Sequence, residues 1–344
     1  MNKTKIVQVG NILIGGGNPI SVQSMTNTDT RDIKSTVSQL KALEEAGADI
    51  VRLAVLDMDA AKSIKEIKSQ IKIPLIADIH FDYRLALESM KNGIDALRLN
   101  PGNIKDKEKV KEVIKEAKAR NLTIRVGVNG GSLDRAVYKE VSPENMVKSA
   151  GEHIKLMEDL NFTNIKVSLK SSDIKTTIDA NILFREKYDY PIHLGVTEAG
   201  TLRSSLIKST SALSYLIMNG IGDTIRYSIT GDPVEEVMAG KMLLKFLGLR
   251  KEPSVEIISC PTCGRCQVEV EEVASYIEKH VQNIKKNITI AIMGCVVNGP
   301  GEARHADFGV AGTGDGNFIY FEKDNEPIKI SKENIINFIT KKIE

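Results

Sequence analysis

The 344-residue sequence has no tryptophan, and aromatic residues make up only 5% of it. Neither sign of charge prevails, because 47 Lys and Arg stand against 45 Asp and Glu, a formal net charge of +2. Without a basic excess, no electrostatic footprint for nucleic acid or a membrane surface is expected. No apolar run nears the ~20 residues of a membrane span, and even Ile290–Val297 is far too short. Two early lysines have no apolar stretch behind them, so no signal peptide is expected and the reading is a cytoplasmic protein. Cysteine is scarce, four in all, yet Cys260, Cys263 and Cys266 lie within seven residues and Cys295 follows. In a reducing compartment that grouping points to a metal or redox role rather than to disulfides. With 42% apolar and 27% charged residues and a mean hydropathy of −0.15, the composition is that of a globular protein. The length suits one large domain and one small one.

From Ile20 to about Leu247 a short β-rich run and an amphipathic helical stretch alternate. The expected strands are 20–25, 49–55, 74–79, 96–100, 123–129, 164–170, 191–197 and 224–230. In the first intervening helix Ile33, Val37, Leu40 and Leu43 form one stripe that Gly47 closes. The last begins with an N-cap Asp232, a first-turn Pro233 and a capping-box Glu235, and ends at Gly248. Such alternation requires parallel strands with right-handed crossovers. Eight units over roughly 230 residues match a (β/α)8 TIM-type barrel, for which about 250 is typical. An open doubly wound sheet is the rival, and it carries fewer units and a Gly-rich first turn. The segment before Ile20 reads as a hairpin plugging the barrel bottom, with Gly15, Gly16 and Gly17 a plain turn.

The pattern changes after the polar link 249–253. The expected domains are therefore a barrel over 1–250 and a small α+β domain over 251–344. The latter would have a helix near 267–286, a strand at 288–294, a Gly-rich hairpin and a last helix at 332–343. Its core should be thin, and a metal would staple it.

Strands covered on both faces should read as continuous apolar runs, but Arg52, Arg98, Arg125 and Arg226 fall inside strand patterns. Asn100, Asn129, Lys166, Ser168, Lys170 and Ser228 alternate with apolar neighbours. Period two puts these polar residues on one face, which must be the barrel interior, since an outward guanidinium would lie under the helices. Four arginines and a lysine at the mouth would suit a dense anion such as phosphate, whose geometry matches the guanidinium fork. Internal Arg–carboxylate pairing is the alternative. Asp78, His80, His193 and Glu198 stand at other strand ends, where a carboxylate or imidazole is a candidate proton carrier.

The cysteine run C-x2-C-x2-C, with Cys295 as a further thiolate, has the spacing of an iron–sulfur site; structural zinc and a thiol redox pair are the alternatives. After Cys295 the turn at 298–301 would swing Glu302 back toward the thiolates, as a fourth ligand or as a solvated acid.

CPTCGR (260–265), GCVVNGPGEA (294–303), NPGN (100–103), HLGVTEAG (193–200), GIGDT (220–224) and SVQSMTNTDT (21–30) together carry a resemblance over nearly the whole chain. The sequence resembles the 4-hydroxy-3-methylbut-2-enyl diphosphate synthase family in its bacterial-type two-domain form. The resemblance implies reductive ring opening of 2-C-methyl-D-erythritol 2,4-cyclodiphosphate in non-mevalonate isoprenoid synthesis. It also implies a [4Fe-4S] cluster, electrons from flavodoxin or ferredoxin, and a head-to-tail homodimer. The family's cluster ligands land on Cys260, Cys263, Cys295 and Glu302. Its diphosphate contacts land on Arg52, Arg98, Arg125, Asn129, Lys170, Arg226 and Ser228, and its catalytic acid on Glu198. Asp78, His80 and His193 join the expected substrate site, and Glu302 the catalytic set. Cys266 departs from the family pattern. The rival readings are a pterin-binding barrel methyltransferase with an appended cluster, and a zinc-stapled binding protein.

Overall fold

The structure, a computed structural model, describes residues 3–99, 107–134, 136–251, 253–281, 284, 286–297, 305–322 and 325–343. The chain divides into two compact units, 1–250 and 251–344.

The first unit opens with an antiparallel hairpin, β1 (Val7–Val9) and β2 (Ile12–Ile14). Four strand–helix units follow: β3 (Ser21–Met25), α1 (Ile33–Glu45), β4 (Ile50–Ala54), α2 (Met58–Lys68), β5 (Leu75–Ile79), α3 (Tyr83–Lys91), β6 (Ala96–Leu99) and α4 (Lys107–Ala119). Four more complete the set: β7 (Thr123–Asn129), α5 (Pro143–Glu158), β8 (Ile165–Lys170), α6 (Ile174–Lys187), β9 (His193–Leu194), α7 (Leu202–Met218), β10 (Thr224–Ile225) and α8 (Pro233–Phe246). The strands pair in parallel in the order β8-β7-β6-β5-β4-β3-β10-β9, and the single bridge Val167–Ile192 closes the ring into a (β/α)8 barrel.

Local chemistry starts the helices where the strands end. Asp32, Asp57, Asp82, Ser142, Asp173 and Asp232 each accept a backbone N–H from the first turn of the helix that follows. Each such cap stabilises its helix by about 1 kcal/mol. Outward strand residues such as Val126, Val128, Val167 and Leu169 are buried in the apolar layer beneath the helices. Their alternates therefore face the barrel axis, with Arg125 opposite Lys166, Gly127 opposite Ser168 and Asn129 opposite Lys170.

At the bottom, Val7, Val9 and Ile14 of the hairpin pack on Ile50, Ile76 and Ala96, so the hairpin is indeed a plug. Its tight turn falls at Gly10, in the left-handed region at φ 58°, and Gly15, Gly16 and Gly17 follow β2.

Two strands are shorter than the sequence suggests. The ladders in 191–197 and 224–230 are only two residues long, His193–Leu194 and Thr224–Ile225, with the bridge at Ile192 preceding the first, because the chain leaves the ladder where polar residues gather at the mouth. Gly195 permits this convergence, since a Cβ there would lie 2.6 Å from Lys170 Nζ and 2.7 Å from Arg226 O.

The second unit contains β11 (Val255–Ser259), α9 (Val270–Val281), β12 (Ile288–Met293), β13 (Phe308–Gly312), β14 (Phe318–Glu322), β15 (Ile328–Ile330) and α10 (Ile335–Ile343). The five strands form one sheet in chain order, parallel from β11 to β13 and antiparallel from β13 to β15. The strand β11 is an element the sequence pattern did not reveal. The core is fuller than expected. Both α9 and α10 cover one sheet face, setting Val273, Ile277, Ile335 and Ile339 against Ile290, Ile292, Val310 and Phe318. The terminal helix supplies the second apolar stripe that closes this layer.

Candidate active site

A cavity of about 170 Å³ sits at the C-terminal ends of the barrel strands. Arg52, Arg98, Arg125, Lys170 and Arg226 line it, with Asn129, Ser228, Asp78 and His80. Thr197 and Val196 complete the wall. Register explains the convergence, since Asp78, Arg98 and Arg125 are cross-strand neighbours on β5, β6 and β7.

Asp78 is the carboxylate among the lining residues. It accepts from Arg98 Nη1 at 3.0 Å, and its other oxygen lies 3.5 Å from Arg52 Nε. Arg98 Nη1 also lies 3.1 Å from His80 Nε2. Arg52 Nε and Nη2 lie 3.2 and 3.0 Å from Met25 Sδ. Arg226 is held by Glu236, with Nε 3.1 Å and Nη2 2.9 Å from its two oxygens. Arg125 donates from Nη1 to Ser168 Oγ at 2.9 Å, while its buried Nε and Nη2 find no partner among the described residues. Lys170 has no carboxylate partner among them either.

Burial opposes the charge on Asp78, yet Arg52, His80 and Arg98 outweigh it and hold the carboxyl well below its ordinary range. Burial pulls Arg52 down to about 10 despite Asp78, with Arg226 and Arg98 adding like charge. Burial likewise pushes Arg125 well below its usual value, and Arg52 and Arg98 push further. Burial and then Arg125 and Arg226 do the same to Lys170. The Arg–carboxylate alternative therefore holds for Arg52, Arg98 and Arg226, and fails for Arg125 and Lys170. Two buried acids face five cations at the mouth, and an anion of more than one charge is what offsets the excess.

Other expected residues stand differently. His193 is fully buried inside the barrel and does not line the cavity; neither ring nitrogen has a partner among the described residues. Burial, then Lys170 and Arg125, hold its pKa well below the usual value. Glu198 is exposed at the mouth next to Thr197, on left-handed backbone at φ 53°. The segment 100–103 lies outside the described residues.

Glu236 was missed by the sequence reading, which singled out its neighbour Glu235 as a cap. Glu235 is exposed and Glu236 is 2% exposed. The signal was present, because Pro233, Glu236, Val237 and Gly240 form the buried stripe of α8 and a glutamate sits in it.

In the second unit, Cys260 follows β11 and Cys295 follows β12, and these strands pair in parallel, so both cysteines emerge at the same sheet edge. Gly294 N donates to Cys260 Sγ at 3.1 Å. A Cβ on Gly294 would lie 2.5 Å from Cys266 Sγ and 3.3 Å from Cys260 Sγ, so these two sulfurs are neighbours over the bare glycine. Cys266 Sγ also donates to Val268 O at 3.1 Å. Cys263 is exposed, and all four are free thiols. Among the described residues no three of His, Cys, Asp and Glu are already gathered about one metal position. Soft sulfur donors with a backbone N–H on one of them fit an iron–sulfur cluster. Glu302 and the turn at 298–301 lie outside the described residues.

The chain matches the GcpE TIM-barrel domain over residues 4–241 and the GcpE protein C-terminal domain over 256–344. It is 53% identical to the 4-hydroxy-3-methylbut-2-en-1-yl diphosphate synthase (flavodoxin) of Ruminiclostridium cellulolyticum, over 99% of this chain and 97% of that one. The enzyme of the same name from Clostridium perfringens is 52% identical, over 99% of this chain and 98% of its own. Among solved structures, a dihydropteroate synthase from Stenotrophomonas maltophilia aligns with a TM-score of 0.55 over 72% of this chain and 100% of its own. At 12% identity, that is a likeness of barrel fold alone. Both domain matches, in order, and about half identity over nearly the full length lead to one conclusion: the chain belongs to the GcpE family.

Proposed function

We propose that this protein is an iron–sulfur oxidoreductase that opens the ring of 2-C-methyl-D-erythritol 2,4-cyclodiphosphate and yields (E)-4-hydroxy-3-methylbut-2-enyl diphosphate. The reaction takes up two electrons and two protons and releases one water. The observation that carries this reading is the convergence of Arg52, Arg98, Arg125, Lys170 and Arg226 on one cavity whose lining, among the described residues, offers a single carboxylate. The relatives' name supplies the product and flavodoxin as the electron donor, and the cyclodiphosphate substrate is what the family resemblance implies. The pterin-binding alternative rests on fold likeness alone, and nothing favours the zinc-stapled one.

Arg125 and Lys170, lacking carboxylate partners, take the diphosphate charge. Asp78 keeps Arg52 and Arg98 aimed, and Asn129 and Ser228 add neutral polar contacts. Glu198, beside Thr197 at the rim, is the proposed proton donor to the leaving oxygen. Cys260, Cys263 and Cys295 with Glu302 would hold the [4Fe-4S] cluster, and Cys266 would stand beside it. When bound, the cluster supplies low-potential electrons one at a time. The domains proposed are a substrate barrel over 1–250 and a cluster domain over 251–344.

A homodimer, with the cluster domain of one chain serving the barrel of the other, is part of this proposal. Exposed Ile207, Tyr215 and Met218 on α7, with Met242 and Phe246 on α8, support an apolar contact with a second copy. A cytoplasmic setting without nucleic-acid or membrane partners is supported by the balanced charge and by free cysteines. No helix among the described residues is long and apolar enough to cross a membrane.

The test is an anaerobic assay of the brown, iron-loaded protein with the cyclodiphosphate and reduced flavodoxin or a reduced viologen. Formation of the hydroxymethylbutenyl diphosphate is expected. Iron-loaded protein that leaves the cyclodiphosphate intact would refute the proposal.

A further inference from the structure

The Glu236 carboxylate lies inside the wall of the barrel and does not line the cavity. Four donors surround it. Oε2 accepts from Ser24 Oγ at 2.8 Å and from Arg226 Nε at 3.1 Å. Oε1 accepts from Arg226 Nη2 at 2.9 Å and from the backbone N–H of Ile229 at 3.1 Å. Both carboxylate oxygens are thus committed, and the pairing with Arg226 is the bidentate fork that fixes a guanidinium in plane as well as in distance. That fork occupies Nε and Nη2 and leaves Nη1 for an anion in the cavity that Arg226 lines.

The contact with Ile229 reaches further. Ser228, which also lines the cavity, lies between the two residues that Glu236 holds, and its carbonyl is fixed from the other side by Ser205 Oγ at 2.9 Å. The short strand β10 ends at Ile225 and the last bond to the neighbouring strand is Arg226 N to Leu194 O at 3.1 Å, so the ladder does not extend over residues 227–229. A buried charge is costly unless it is paired and hydrogen-bonded. An apolar side chain would fill the stripe of α8 more simply, and the glutamate's surroundings show what it does instead.

We propose that Glu236 is a positioning residue for the substrate clamp, setting the Arg226 guanidinium directly and Ser228 through the backbone of Ile229. The role rests on the diphosphate reading given above. It acts before the anion arrives: with the guanidinium already oriented, binding loses less side-chain freedom. Removing it weakens capture of the anion and leaves the chemistry that follows largely intact.

The test compares Glu236→Gln, Arg226→Ala and the double variant as iron-loaded, anaerobically purified full-length protein. Calorimetric titration with inorganic pyrophosphate gives affinity, and turnover of the cyclodiphosphate with a reduced viologen gives KM and kcat. Glutamine keeps the shape but turns an N–H2 toward donors. It should raise KM and the pyrophosphate Kd by about tenfold or more, the scale of one lost charge-assisted pair, with kcat within about threefold of the parent. In the Arg226→Ala background the same change should add much less than it does alone, leaving only the part that reaches Ser228 through Ile229. A merely structural glutamate would lower kcat and KM behaviour together, or add its full effect in the double variant, and either result overturns the proposal. If Arg226→Ala weakens pyrophosphate and Glu236→Gln does not, the positioning role fails and the diphosphate reading stands. If neither variant changes affinity, the clamp reading falls and takes the positioning role with it. Should Glu236→Gln not fold, Ser24→Ala removes one of the four bonds from outside the cavity. It should raise KM by about threefold at unchanged kcat, and an unchanged KM would overturn the proposal.

Discussion

Lys166 offers a test of how charge is tolerated inside this barrel. It lies on β8, is fully buried, and its nearest hydrogen-bond partner is Thr224 Oγ1 at 3.4 Å. Burial, and then Arg125, lower its pKa from 10.5 to about 7, with Asp223 pulling weakly the other way. Ser168 and Lys170 alternate with it on its own strand, His193 on β9 lies within reach of its charge, and Ser21 on β3 donates to the same Thr224 Oγ1. In the unfolded chain the amine stays charged up to its ordinary value, so folding at lower pH must bury a charge. The destabilisation is therefore complete below about pH 7 and fades as pH rises toward 10.5. At about 1.4 kcal/mol per pH unit, the interval amounts to about 5 kcal/mol as an upper bound. Lys166→Met keeps the length of the side chain and removes the charge. The variant should be more stable than the parent at pH 6.5 and should lose roughly 3 kcal/mol of that advantage by pH 9.5. Denaturant unfolding of both proteins at the two pH values, followed by far-UV circular dichroism, reads the difference directly. An advantage that stays constant across that range would show that Lys166 does not titrate in it and would refute the reasoning.

Arg98→Ala and Arg125→Ala should each weaken substrate by about 10- to 150-fold, the equivalent of about 1.5–3 kcal/mol for a lost charge-assisted bond. The iron absorbance should be unchanged, and normal affinity in either variant would remove the anion site from the barrel. Cys260→Ser, Cys263→Ser and Cys295→Ser should each lose the cluster, whereas Cys266→Ser should keep its iron and its turnover. Glu302→Ala should keep much of its iron and lose turnover; loss of iron in Cys266→Ser with an active Glu302→Ala would reverse the ligand assignment. Mixing Cys263→Ser with Glu198→Ala should restore part of the activity if cluster and barrel act from different chains. Absence of recovery with subunit exchange verified would place both sites in one chain.

Much of the barrel was legible because its signals are local. Strand–helix alternation, N-cap aspartates and the period-two placement of Arg52, Arg98, Arg125 and Lys170 depend on a few neighbouring residues each. Those positions converge because a closed barrel turns every inward residue toward one axis. The cysteine spacing was equally local, although it left Cys266 open as a ligand. Other features needed the folded chain. The strand pattern extended through Arg226 and Ser228, but pairing stops at Ile225, since where a ladder ends depends on the neighbouring strand and on the close approach at Gly195. The thin core expected for the second unit filled in once α10 packed beside α9, a contact between segments more than fifty residues apart. The division of the mouth into held cations (Arg52, Arg98 and Arg226) and unheld ones (Arg125 and Lys170) was set by tertiary structure alone. A sequence shows which residues are charged and which face they share. Which carboxylate reaches which guanidinium depends on distances across the barrel, and Glu236 reaches Arg226 only because a helix turn and a strand end are brought together by packing.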